Sequence, residues 1–290
     1  MFGWGRARRL GTAEAPLVYA EPPSLAMRRA AGVSCRQMPM THPSLKTDGP
    51  IARIVLDRPE RHNTLEADDL HLFRQHLATV ETDRNVRVLI VTGSGGTTFC
   101  SGASLDQIES GEMSGHIFET LTVDLASTRV PTICALNGSA YGGGVELALC
   151  CDFRIGVTGS RMSVPASRLG ICYPVSGLRR YLEAVGPSVT RRIMLAGEEL
   201  DAEEMLRVGV VDRLVAPEAL EATTSEFAAL LVRRAPLAIQ AMKRILRELA
   251  IGTLDADEAA QLVARCQDSE DLSEGLRARR EGRRPEFRGS

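Results

Sequence analysis

No stretch of this 290-residue sequence approaches the ~20 consecutive apolar residues of a membrane-spanning helix, so no helical span organises it and no membrane partner is expected. Cysteine pairs at metal-ligand spacing are missing as well. The seven cysteines, Cys35, Cys100, Cys134, Cys150, Cys151, Cys172 and Cys266, contain no Cys-x-x-Cys unit, and their number is odd. Neither a disulfide framework nor a zinc site is favoured, and a reducing compartment follows. A large excess of charge is also absent: the formal net charge is -2, which argues against wholesale nucleic-acid binding. Lysine occurs only at Lys46 and Lys243, so contacts to anions fall mainly to arginine. His62, His71, His76 and His116 show no ligand spacing, and His71 and His76 fall on different faces of a helix. No metal site is expected.

What is present suffices for one large domain, or one domain with an appendage. Residues 1 to about 45 are rich in arginine and proline, poor in acids and without helical periodicity, which predicts disorder. They read as a transit peptide or, preferably, as an extended start upstream of Met38 or Met40. Ile51 to Asp57 alternates like a strand and is ended by Arg58-Pro59. Leu65 to Val80 places Leu70, Phe73, Leu77 and Val80 on one face of a helix. Val86 to Thr92 is a β-branched run suited to a strand buried on both faces. Strand, helix and strand then suggest a parallel crossover. Beyond Val175 the chain reads as helical: Asp201 resembles a cap, Gly209 closes a helix, and Pro236 divides a long amphipathic pattern from Ser225 to Ile251. Ser269 to Arg284 is strongly charged and is expected on the outside or at a subunit edge. Its arginines alternate with glutamates and lack stacking aromatics, which favours a solvated helix over a nucleic-acid surface.

Two turns concentrate the chemistry. In ALNGSAYGGGVELALCCD, Ala135 to Asp152, an apolar strand passes through Gly142, Gly143 and Gly144 into a buried helix start. Glycines there let a ligand approach the backbone, and the first helical N–H groups have no partner within the helix, so they can face developing negative charge. Glu146 follows in the first turn. The second turn, Phe99 to Leu105, offers Gly102 for an unusual backbone, the N–H of Ala103 and Ser104 as an N-cap. It lacks the Lys-Ser/Thr ending of a phosphate-binding loop. Arg58 and Arg61 could meet phosphates, although a solvated charged loop is the simpler account.

In chain order, RPERHNTL, VLIVTGSGGTTFCSGASL, the glycine-triplet stretch, LGICYPVSGLRRYLEAVG and LAGEELDAEEMLRVGVVDRLV resemble the crotonase family, the enoyl-CoA hydratase/isomerase superfamily, over residues from about 50 to 288. The resemblance implies an α/β fold: a crotonase-like spiral of ββα repeats with two roughly perpendicular sheets over 46–215, and a C-terminal helical trimerisation region over 216–290. It implies a homotrimer or homohexamer acting on an acyl-CoA thioester in fatty acid metabolism, cytoplasmic or, if the leader is a transit peptide, in the mitochondrial matrix. No metal or redox cofactor is implied, coenzyme A being part of the substrate. The two amides of an oxyanion hole fall on Ala103 and Gly143. Ala103, Ser104, Leu105, Asp106, Gly142 and Gly143 would line the substrate, and Glu146 and Tyr173 would join the two amides as catalytic groups.

The departures from that pattern narrow the reaction. A hydratase of this family resembles a two-carboxylate machine, and the second carboxylate aligns with Ala166. Water addition needs a base for water and an acid for the α carbon. Tyr173 resembles the methylmalonyl-CoA decarboxylase branch, which has histidine where this chain has Ala103. Asp106 stands where relatives often place lysine, and Ser104 replaces the usual aspartate. The expectation is an enoyl-CoA hydratase/isomerase-like lyase, with a decarboxylase or a CoA-ester-binding homologue without turnover as alternatives.

Overall fold

The computed structural model describes residues 43 to 290, so the expectation of disorder over 1–45 lies, up to residue 42, outside the described residues. Strand β1 (Ser44–Asp48) turns at Gly49-Pro50 into β2 (Ile51–Leu56), with which it pairs antiparallel. Its short, mostly exposed sequence SLKTD carries little alternation, and the sequence pattern does not announce it. Helix α1 (Ala67–Thr82) returns the chain to β3 (Val88–Gly93), parallel to β2, which is the expected crossover.

From there each turn of the chain lays one strand in a large sheet and a short one in a small sheet before a helix. The units are β3, β4 (Thr98–Cys100), α2 (Leu105–Ser110) and α3 (Gly115–Ser127); β5 (Thr132–Leu136), β6 (Ser139–Tyr141) and α4 (Gly143–Leu149); and β7 (Phe153–Val157), β8 (Arg161–Ser163), α5 (Ala166–Leu169) and α6 (Val175–Met194). After them come β9 (Leu200–Asp201), α7 (Ala202–Arg207) and β10 (Arg213–Val215). The large sheet runs β1-β2-β3-β5-β7-β10 and the small one β4-β6-β8-β9. This is the expected spiral of ββα repeats.

The continuous apolar strands are explained by two cores. In β3, Leu89 and Val91 join Leu70, Phe73 and Leu77 of α1 on one side, while Val88 and Ile90 face Leu220, Ala228 and Leu231 of α8 (Leu220–Val232) on the other. Each such fully buried side chain contributes about 1.5–3 kcal/mol.

Helices α9 (Pro236–Ile251), α10 (Ala256–Gln267) and α11 (Glu270–Glu281) complete the chain, with Pro236 in the first turn of α9 where its missing N–H costs nothing. Asp201 caps α7 through Glu204 N at 2.8 Å, as its sequence suggests. The span labelled α6 is two helical stretches that meet at Gly186, whose φ 71° and ψ 172° lie outside the helical range. Helix α11 departs from a simple solvated helix. Asp271 and Glu274 are buried, and their carboxylates accept the backbone N–H groups of Arg288, Gly289 and Glu286, folding the last residues back onto the helix.

The RPERHN run is framework. Arg58 is buried and pairs with both oxygens of Asp69 at 2.8 and 3.3 Å, which corrects the expectation of a solvated loop. Arg61 instead reaches Glu66 at 2.7 Å from a half-exposed position. Asn63 donates from Nδ2 to the carbonyls of Ser94, Thr98 and Phe99, tying the loop before α1 to β4.

Candidate active site

The turn after β4 is fixed by an isolated parallel bridge between Leu65 and Ala103. Leu65 N–H donates to Gly102 O at 2.8 Å, and Leu65 O accepts from Ser104 N–H at 2.9 Å. Strand alternation therefore turns the N–H of Ala103, the residue between, away from Leu65. Among the described residues it has no acceptor, and neither does the N–H of Gly143, the first residue of α4. The two turns lie against each other. A Cβ on Gly102, which holds φ +90°, would stand 2.7 Å from Gly143 N, so only glycine permits the approach.

Both amides border a cavity of about 280 Å³. Gly142, Leu105, Glu146 and Tyr173 line it too, so most of the residues expected at the site converge. Ser104 and Asp106 do not line it. Ser104 occupies the N-cap of α2 but its buried hydroxyl makes no capping bond, and Asp106 is exposed in the first turn of that helix. Ala166, buried at the start of α5, presents a methyl group to the cavity where the family pattern would place a carboxylate.

Glu146 is 2% exposed and accepts from Arg180 Nη1 at 2.7 Å. Burial pushes its carboxyl above the ordinary range; the Arg180 guanidinium and the Thr122 hydroxyl oppose that, and the charge of Glu119 adds to it. Tyr173 is raised as well, by burial and by the charge of Glu146, with the Tyr181 hydroxyl opposing, so it remains a proton donor across the physiological range. Its ring meets Tyr181 edge-on, centroids 6.2 Å apart. The buried thiol of Cys100 is pushed up to about 12 by desolvation, which leaves it inert beside the site.

Sequence reasoning did not single out three polar residues here: Glu119 on α3, which lines the cavity, and Ser176 and Arg180 on α6. A signal existed in Gly177. A glycine inside a helix implies a close approach, and a Cβ there would lie 3.0 Å from Glu146 Oε1.

The pattern of the enoyl-CoA hydratase/isomerase family matches residues 46–290. The chain is 33% identical to a carnitinyl-CoA dehydratase from Proteus mirabilis over 258 residues, 84% of this chain and 97% of that protein. It is 30% identical to a crotonyl-CoA hydratase from Syntrophomonas wolfei, covering 84% of this chain and 96% of that one. Among solved structures, an enoyl-CoA hydratase/isomerase family protein from Hyphomonas neptunium superposes with a TM-score of 0.81 at 29% identity, covering 86% of this chain and 98% of that one. The match of family pattern, relatives and fold over most of its length means that this chain belongs to the enoyl-CoA hydratase/isomerase family, the crotonase superfamily.

Proposed function

We propose that the protein processes an acyl-CoA thioester through an enolate, by hydratase/isomerase-type chemistry, with the N–H groups of Ala103 and Gly143 holding the enolate oxygen. The observation that carries this reading is the pair of backbone donors without acceptors, set side by side at the rim of one cavity with Glu146. A charged oxygen in a site shielded from water gains most from donors already in place, and one such donor is worth ~2.7–4 kcal/mol in other enzymes. Glu146 handles the proton of the attacking water or of the substrate carbon. Coenzyme A enters as part of the substrate, with no further cofactor, in a cytoplasmic homotrimer or homohexamer. No helix of the described residues is long and apolar enough to cross a membrane.

A second reading has one observation in its favour. Tyr173 keeps its proton and lines the cavity with Ala166, so its hydroxyl can donate to a substrate carboxylate and orient it for loss of CO2 from a branched malonyl-type thioester. Incubation with a panel of CoA thioesters, followed by mass spectrometry, separates the readings. Crotonyl-CoA gaining the mass of water supports the first, and methylmalonyl-CoA losing CO2, with sensitivity to Tyr173→Phe, supports the second. Isomerisation leaves the mass unchanged and shows as a new retention time. Binding without any product would leave only a CoA-ester-binding homologue.

A further inference from the structure

We propose that Glu119 is the second proton-handling carboxyl of this cavity, supplied by α3 in place of the acid that Ala166 leaves out; the assignment rests on the hydratase reading above.

Glu119 stands in the second turn of α3, and its side chain borders the same cavity as Glu146, Ala103 and Gly143. The hydroxyl of Ser176 donates to Glu119 Oε1 through a short hydrogen bond. Ser176 and Arg180 are four residues apart on α6 and so project from one face of it. The first holds Glu119 and the second holds Glu146. Between them Gly177 has no side chain, and Glu146 lies directly against the helix. One face of α6 therefore pins two carboxyl groups that arrive from two other helices, α3 and α4.

The partners differ, and the difference assigns the roles. Glu146 faces a guanidinium, which favours the carboxylate, so Glu146 takes the proton of water as the water oxygen bonds to Cβ of the enoyl group. The Cα–Cβ π pair moves toward the thioester oxygen held by the two amides. Glu119 has no guanidinium partner, so of the two carboxyls that share this cavity it is the one that carries their common proton when substrate is bound; it gives that proton to Cα as the enolate collapses, and Ser176 donates to the carboxylate left behind. Proton return from Glu146 to Glu119 through cavity water restores both groups. The net change is one water added.

A purely structural Glu119 would do no more than tie α3 to α6. Glutamine at 119 keeps the size and can still accept from Ser176, but cannot carry the proton. With crotonyl-CoA, Glu119→Gln is expected to lower kcat by ~10²-fold or more while KM moves little and Tm is retained. Adding Ala166→Glu to that variant returns a carboxyl to the cavity lining and is expected to recover roughly a tenth or more of the lost rate. Glu119→Asp, which shortens the side chain but keeps the acid, should stay faster than Glu119→Gln. Wild-type turnover in Glu119→Gln, alongside a dead Glu146→Gln, overturns this assignment alone. So does a loss equal in Glu119→Asp and Glu119→Gln that Ala166→Glu does not relieve. If the unsubstituted chain converts no CoA thioester, the proposed function falls and the assignment falls with it.

Discussion

Two buried arginine–carboxylate pairs occupy opposite roles in this molecule. Where the loop before α1 meets that helix, Arg58 and Asp69 are 6% and 2% exposed, and beside the cavity Arg180 and Glu146 are 12% and 3% exposed. By burial and charge they are near twins. What separates them is how their hydrogen-bonding capacity is used. Asp69 Oδ2 accepts from Arg58 and from Glu66 N, both at 2.8 Å, and Oδ1 accepts a second guanidinium bond, closing a capping box at the head of α1. Glu146 borders open space that also touches two backbone donors without acceptors. Burial of a carboxylate thus does not mark chemistry; capacity left facing a cavity does.

Substitutions at the two pairs sharpen this contrast. Glu146→Gln should cost the most turnover, ~10²–10⁴-fold in kcat for crotonyl-CoA hydration, with folding intact by circular dichroism; a fully active variant would erase the distinction drawn here. The same variant carries a stability signature. Burial holds the folded Glu146 carboxyl above its unfolded value, so the stability it contributes is complete below the ordinary carboxylate range and is lost as pH rises through the raised value. The difference in denaturant midpoint between Glu146→Gln and the unsubstituted chain should therefore shift toward the variant as pH rises.

Asp69→Ala should do the reverse, costing ~3–5 kcal/mol because it removes the carboxylate bonded to both guanidinium nitrogens of buried Arg58 and opens the capping box of α1, leaving Glu66 Oε1 at 3.5 Å as the nearest carboxylate. That corresponds to a fall in Tm of roughly 6–20 °C, while turnover per folded molecule stays close to that of the unsubstituted chain. Arg180→Met should shift rather than abolish activity. The guanidinium lowers the Glu146 carboxyl, so its removal should carry the acidic limb of kcat/KM to higher pH. A limb that stays in place would mean that Glu146 is not the titrating base. The smallest effect is expected at the exposed Arg61–Glu66 pair, where Arg61→Ala should cost only ~0.2–1 kcal/mol by chemical denaturation. Its affinity for CoA thioesters, measured by calorimetry, should not change, whereas a phosphate-binding Arg61 would lose affinity.

Much of the fold was legible because local rules and tertiary demands agree. The β3 run is apolar at every position because it divides two cores, and α1 shows its period because only one face is covered. The glycine turns and Glu146 were legible for a related reason: they break local expectation where two turns of backbone meet beside a cavity. The reading of Arg58 failed because its partner lies eleven residues on, inside a helix, and a loop arginine gives no sign of which way it will fold. Glu119 and Arg180 stayed hidden because each fits its helix as an ordinary polar residue. Their meaning comes from the meeting of α3, α4 and α6, which no single segment encodes. Strand β1 was missed because an exposed edge strand needs no apolar alternation.

The bridge between Leu65 and Ala103 reaches beyond this one site. Codon changes rewrite side chains, but the hydrogen that the bridge leaves pointing outward belongs to every amino acid except proline. Position 103 can therefore vary in identity without surrendering its donor, provided the path of the chain is kept. A pocket assembled in this way can be handed new reactants over generations by altering its walls alone, while the outward-facing backbone donor is inherited as shape.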